Sequence, residues 1–211
     1  MKIALFAATG NIGRQIAQQA LQRGHQVTAL VRSTEHLPGE LQGASIVKVD
    51  PNDADAIAAA ARGHDVLASA FGPGNGPVDS IPGTARILVR AAHDAGVKRL
   101  IVVGGAGSLE VAPGLQLVDT PTFPDAYKPQ ALAHRDALTV LRHSHDLQWT
   151  FFAPAAEIGP GAAQGNVHVQ ANVLRVDAAG HSRITYPDYA AAFVDEIENA
   201  TFTGQIVTAA Y

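Results

Sequence analysis

AATGNIG, residues 7–13, is the stretch on which the reading of this chain turns. It follows a short apolar run, IALFAA, and opens an amphipathic stretch, NIGRQIAQQALQRG, so it stands where a buried strand gives way to a helix. Ala7, Gly10 and Gly13 keep a G-x-x-G-x-x-G spacing with alanine in the first place. In a phosphate-binding turn of this kind, one glycine makes the bend and one lets backbone amides approach phosphate; the third lets the helix pack closely on the strand. Alanine lacks easy access to positive φ, so the pattern predicts ordinary backbone angles at Ala7. The competing reading is a plain strand-to-helix turn. Ending the first strand and opening the first helix favours a phosphate loop made of Ala7, Thr9, Gly10, Asn11, Ile12 and Gly13.

Outward from this turn, apolar runs alternate with Ala-rich helical stretches. VTALVR, SIVKVD, DVLASAFG and RLIVVGG read as strands, with DADAIAAAARG and TARILVRAAHDAG as helices between them. The alternation predicts an α/β fold, a Rossmann-like doubly wound parallel sheet flanked by helices, in one domain over residues 1–211. The strand runs are apolar throughout, as strands covered on both faces should be. Gly24, Gly63 and Gly96 each close a helix where a left-handed cap is needed. Residues 106–126 carry Pro113, Pro121 and Pro124 with little periodicity and read as a substrate-side loop. A helix from about Pro129 to His143, the strand LQWTFFAP, short strands at VHVQA, VLRV and SRIT, a helix from Tyr186 to Asn199 and a last strand, GQIVTAA, complete a small C-terminal substrate-side region.

Composition narrows the classes. The chain has 211 residues, 47% hydrophobic and 16% charged, with a formal charge of -4, so it lacks the basic footprint that nucleic-acid binding requires. It has no cysteine, which excludes disulfides, Cys-based zinc sites and a thiol nucleophile. The opening apolar run stops at Thr9-Gly10, too short for an export segment, and no run reaches the ~20 residues of a membrane helix. These features suggest a cytoplasmic protein, monomer or homodimer, with a small-molecule substrate and neither nucleic acid nor membrane as partner.

The second strand ends in Val31-Arg32-Ser33, and Arg32 lies about 20 residues beyond the loop, where an acidic residue would bind the ribose of NAD and an arginine suits a 2′-phosphate. Arg32 predicts NADP(H) over NAD(H); a solvated strand-end cation is the alternative. Asp50 has two readings of equal weight, hydrogen bonding to the adenine amino group or capping the following helix. Ala68 to Gly72, ASAFG, ends the fourth strand at the carboxyl edge and places Ala70, Phe71 and Gly72 beside the cofactor.

Together these segments resemble the atypical short-chain dehydrogenase/reductases of the NAD(P)H-binding, flavin-reductase and biliverdin-IXβ-reductase-like type. AATGNIG and VTALVRS resemble its first two cofactor segments, and VVGGAGSL, with Gly104, its fifth-strand turn. HRDALTVLRHSHDLQWTFFAP resembles its helix and sixth strand, and ITYPDYAAAFVDEIEN its closing helix. The resemblance covers nearly the whole chain. It implies hydride transfer from NADPH to a flavin, quinone or tetrapyrrole-like acceptor, with flavin as substrate rather than a retained group. It also implies that Pro154, Ala155 and Ala156 line the nicotinamide side and that Ser108 lies close to substrate.

Two departures bear on chemistry. The Tyr-x-x-x-Lys pair of ordinary short-chain dehydrogenases is missing: Ala131 stands four places after Tyr127, Lys128 sits beside the tyrosine, and the helix positions of the pair fall on Gln130 and His134. Without that proton relay, alcohol–carbonyl chemistry is disfavoured. Glu157 stands in the region where the biliverdin reductase carries a histidine, which argues against a tetrapyrrole as the natural acceptor.

Ser108, Tyr127 and His134 are the candidate catalytic residues. Ser108 would bind the acceptor, His134 would orient the cofactor ribose, and Tyr127 or Phe123 would stack on the acceptor. Their structural alternatives are a turn serine, a surface helix histidine and packing beneath the Pro-rich loop. His143 and His145, two apart at a helix end, do not converge on one ion, so no metal site is expected. Alternative functions are an NmrA-like NADP(H)-sensing regulator and an epimerase or dehydratase.

Overall fold

The computed structural model describes residues 1–74 and 76–211. In chain order the elements are β1 (Lys2–Phe6), α1 (Asn11–Gln22), β2 (Gln26–Val31), β3 (Ser45–Lys48), α2 (Ala54–Ala61), β4 (Val66–Ser69), α3 (Ser80–Ala95) and β5 (Arg99–Val103). A hairpin of β6 (Glu110–Ala112) and β7 (Leu115–Gln116) follows, then α4 (Lys128–Arg142), β8 (Gln148–Pro154), β9 (Glu157–Gly159), β10 (His168–Ala171), β11 (Arg183–Thr185), α5 (Tyr186–Asn199) and β12 (Gln205–Ala210).

Eight strands form one sheet in the order β10-β12-β8-β5-β4-β1-β2-β3. All neighbours in it run parallel except β10 against β12. The chain leaves β1 for β2 on one side and later crosses to β4 on the other. The carboxyl ends of β1 and β4 therefore flank the switch point where ligands bind such sheets. Side-chain alternation divides the core in two. Leu67, Leu100 and Phe151 pack with α2, α3 and α4 on one face, while Leu5, Ile101 and Phe152 pack with α1 and α5 on the other.

Gly24, Gly63 and Gly96 take φ of 81°, 75° and 72°, the left-handed caps expected of them. The segment after Gly105 has more structure than its composition suggested. Ala106–Ser108 is a 3-10 turn, and the hairpin follows it. VLRV does not form a strand. Asn172 turns the chain at φ 62°, and Val173 keeps only an isolated bridge to Glu110. That bridge ties the C-terminal region to the 106–119 segment: the Glu110 amide donates to Asn172 O at 2.8 Å and the Leu174 amide to Glu110 O at 2.9 Å. No helix among the described residues is long and apolar enough to cross a membrane.

Candidate functional site

Residues 7–13 join the end of β1 to the start of α1, as the strand-to-helix reading expects, but the backbone differs from expectation at one residue. Ala7 adopts φ 59°, the left-handed region, rather than ordinary angles. The reason is the reversal between β1 and α1: the Ala7 carbonyl must turn to accept the Gly10 amide, at 3.3 Å. The same carbonyl explains Gly13, where an added Cβ would collide with Ala7 O. At Gly10 a Cβ would meet nothing nearer than 3.7 Å, so the fold itself does not require glycine there. Gly10 is the N-cap of α1 and offers no side chain to its amides, and the first turn has no acidic residue. Thr9 and Asn11 are exposed beside it, and Ile12 is half-buried. Free amides at a helix N-terminus suit a phosphate.

A cavity of about 480 Å³ opens at the carboxyl ends of β2 and β3, lined by Arg32, Lys48, Val49, Asp50 and Pro51. Arg32 and Asp50, 18 residues apart in the chain, thus line one cavity. Asp50 does not cap α2. Asp53 does, accepting from the Ala56 amide at 2.9 Å, while Asp50 Oδ1 accepts from the Asn52 amide at 2.8 Å in the preceding turn. Lys48 escaped the sequence reading; the available signal was a lysine two places before Asp50 at the end of an apolar strand.

At β4 and β5 the placements differ in kind. Phe71 packs on Phe6, with ring centroids 6.1 Å apart, Ala70 is half-buried, and Gly72 has open space around it. Gly104 continues the ladder to β8, its amide donating to Phe152 O at 2.8 Å. It must be glycine because the Phe151 ring fills the space that a Cβ would need. Gly105 likewise yields to the His134 ring and Gly107 to Ala131, so this glycine cluster lets α4 settle on the end of β5.

His134 is therefore no surface residue. It is 7% exposed, edge-on to Phe151, and its Nδ1 has no hydrogen-bond partner. Burial lowers its pKa to about 4, which keeps the imidazole neutral near pH 7. Ser108, 3% exposed, also has an unpartnered buried Oγ, although its amide reaches Gly105 O. Such orphaned groups cost about 1–3 kcal/mol each. Both lie next to Gly105: the His134 ring packs against it, and the Ser108 amide bonds to its carbonyl. Tyr127 is 67% exposed at the start of α4, so it does not pack under the Pro-rich loop; Phe123 is half-buried. Gln130 and Glu157 are exposed.

Pro154 and Ala155, at the end of β8, are buried, and Ala155 points into the α1–α5 core. The exposed Ala156 donates its amide to Ser182 Oγ at 3.1 Å. Asp188 anchors the adjoining loop, accepting from the Gln164 amide and the Tyr211 hydroxyl at 2.7 and 2.6 Å. Burial works to raise the Asp188 pKa, but these hydrogen bonds hold it below the usual carboxylate range. Among the described residues, no group of three or more His, Asp or Glu is placed to hold a metal ion.

The family model described as NAD(P)H-binding matches residues 7–200. The fold superimposes on a protein provisionally described as exported from Burkholderia pseudomallei, at TM-score 0.93 and 54% identity, covering 100% of both chains. It also matches a provisional epimerase from Bacteroides thetaiotaomicron at TM-score 0.91 and 34% identity, over 100% of this chain and 96% of the other. A provisional NADH-flavin reductase from Streptococcus pneumoniae matches at TM-score 0.87 and 34% identity, over 100% and 99%. Together with the family match, these structures agree with an NAD(P)H-binding, atypical short-chain dehydrogenase/reductase-like fold.

Proposed function

Because the chain belongs to the NAD(P)H-binding family, we propose that it is a reductase that prefers NADPH and reduces a flavin or a related flat acceptor such as a quinone. The observation that carries this reading is the state of α4. Where a tyrosine–lysine relay would stand, His134 is buried and neutral and Gln130 is exposed. A site without a positioned proton donor suits an acceptor that brings its own redox chemistry.

The residues present fit the cofactor. Amides from Thr9 to Gly13 would hold the pyrophosphate, Arg32 the 2′-phosphate, and Asp50 the adenine edge. Ala70–Gly72, Gly104 and the backbone of Pro154–Ala156 would border the rest. When bound, the dihydronicotinamide supplies the hydride. The chain's own work is to stack and orient: Ser108 Oγ donates to the acceptor, His134 steadies the ribose, and Tyr127 or Phe123 covers the acceptor face. Solvent supplies the proton. Holding the reactants in contact accounts for much of the rate by proximity. This reading puts the chain in the cytoplasm, beside its cofactor pool.

The test follows NADPH and NADH consumption by purified protein with FMN. Turnover favouring NADPH is expected, and Arg32→Ala should raise KM for NADPH about tenfold while leaving NADH within about twofold. Equal losses for both cofactors overturn the preference. Tight NADPH binding without turnover favours a cofactor-sensing regulator instead. An epimerase is the reading that the Bacteroides relative supports, but it needs an acid and a base together. Tyr127, exposed, and His134, buried, supply no such pair.

A further inference from the structure

We propose that Lys48 is a specificity-determining residue that shares the 2′-phosphate of NADP(H) with Arg32. This rests on the NADPH preference proposed above and adds a second determinant to it. Val31 pairs in register with Lys48 across β2 and β3, and the Val49 amide donates to Val31 O at 2.9 Å. Register therefore sets Val31 beside Lys48, and Arg32 follows one residue later, in the bend beyond β2. Neighbouring strands lie about 4.8 Å apart, so Arg32 and Lys48 leave adjacent backbones and border the same 480 Å³ space.

Both side chains are exposed, and among the described residues neither meets a carboxylate within 4.0 Å. Asp50 shares the cavity, but its Oδ1 is engaged by the Asn52 amide. Two cations and one carboxylate therefore line the cavity, an excess of positive charge that favours an anion over a neutral ribose diol. The chemistry divides naturally between them. An arginine fork can engage two phosphate oxygens, and a flexible ammonium neutralises the charge that remains. Lysine is also common on edge strands as protection against pairing, and β3 is an edge strand. That role would be indifferent to the cofactor's phosphate, so binding measurements separate the two.

The experiment is calorimetric binding of NADP⁺, NAD⁺ and 2′,5′-ADP to the wild type, Lys48→Ala and Lys48→Glu, with melting curves confirming that each variant is folded. Lys48→Ala should weaken NADP⁺ and 2′,5′-ADP about tenfold and NAD⁺ less than twofold. Lys48→Glu, which places a second carboxylate in the cavity, should weaken the two phosphate ligands about a hundredfold. Unchanged affinities, or equal losses for NADP⁺ and NAD⁺, overturn the role of Lys48 while leaving that of Arg32 intact. A wild type that binds NADP⁺ no better than NAD⁺ overturns the cofactor preference, and this proposal with it.

Discussion

Ala7 shows how a single residue can carry strain that its neighbours enforce. Its φ of 59° costs an L-residue about 1–2 kcal/mol, and glycine would escape that penalty at some expense in unfolded-chain entropy. Ala7→Gly should therefore raise stability by roughly 0.5–1 kcal/mol. A urea midpoint that stays level or falls would contradict the strain argument. His134 carries a different cost. Its folded pKa of about 4 lies below the ordinary 6.5, so the unfolded chain binds the proton more readily between those values. Stability should then be complete above about pH 6.5 and fall by up to about 1.4 kcal/mol per unit as pH drops towards 4. His134→Phe keeps a ring against Gly105 and removes the titration, so it should flatten that part of the curve. An unchanged slope would assign the acid sensitivity to other groups. The glycine spacing made Gly13 legible in the sequence, but neither the strain at Ala7 nor the burial of His134 was. Both depend on what the rest of the fold brings alongside.

Among the helices and strands, local signals located the helices and distant partners fixed their packing. Gly24, Gly63 and Gly96 announced helix ends because a left-handed cap is a local requirement. Asp50 could be read as the cap of α2, and only the amide geometry gave that role to Asp53, three residues further on. No local pattern marked the buried pair that joins β5 to α5. Arg99 Nη2 donates to Glu196 Oε1 at 2.7 Å, and Arg99 Nη1 donates to Gln148 O and Thr150 Oγ1, both at 2.8 Å. Glu196 in turn accepts the Thr201 and Phe202 amides, fixing the turn before β12. Burial lowers the Arg99 pKa, and Glu196 works against that shift. Removing one member leaves an unpaired buried charge, so Arg99→Met should cost about 3–5 kcal/mol. Chemical denaturation measures this directly; a loss below about 1 kcal/mol would mean that Glu196 finds another partner or takes up a proton.

Across the molecule, the parallel sheet sorts these groups by edge. Gly10, Arg32, the Lys48–Asp50 stretch and Gly104 come from four separate segments, yet all follow or end strands at one edge of the sheet. The Arg99–Glu196 pair lies at the other, where β5 begins and α5 nears its end. The alternation of strands and helices and the turn at residues 7–13 that opens α1 were written in the sequence, because apolar period, glycine spacing and caps are properties of short segments. Folding in three dimensions was needed to bring Lys48 to the border of the cavity that holds Arg32, to leave Ser108 and His134 orphaned beside Gly105, and to stand Tyr127 in solvent. Those outcomes depend on strand register and on how closely α4 settles onto β5. Contacts between residues far apart in the chain set both, and no short stretch of sequence contains them.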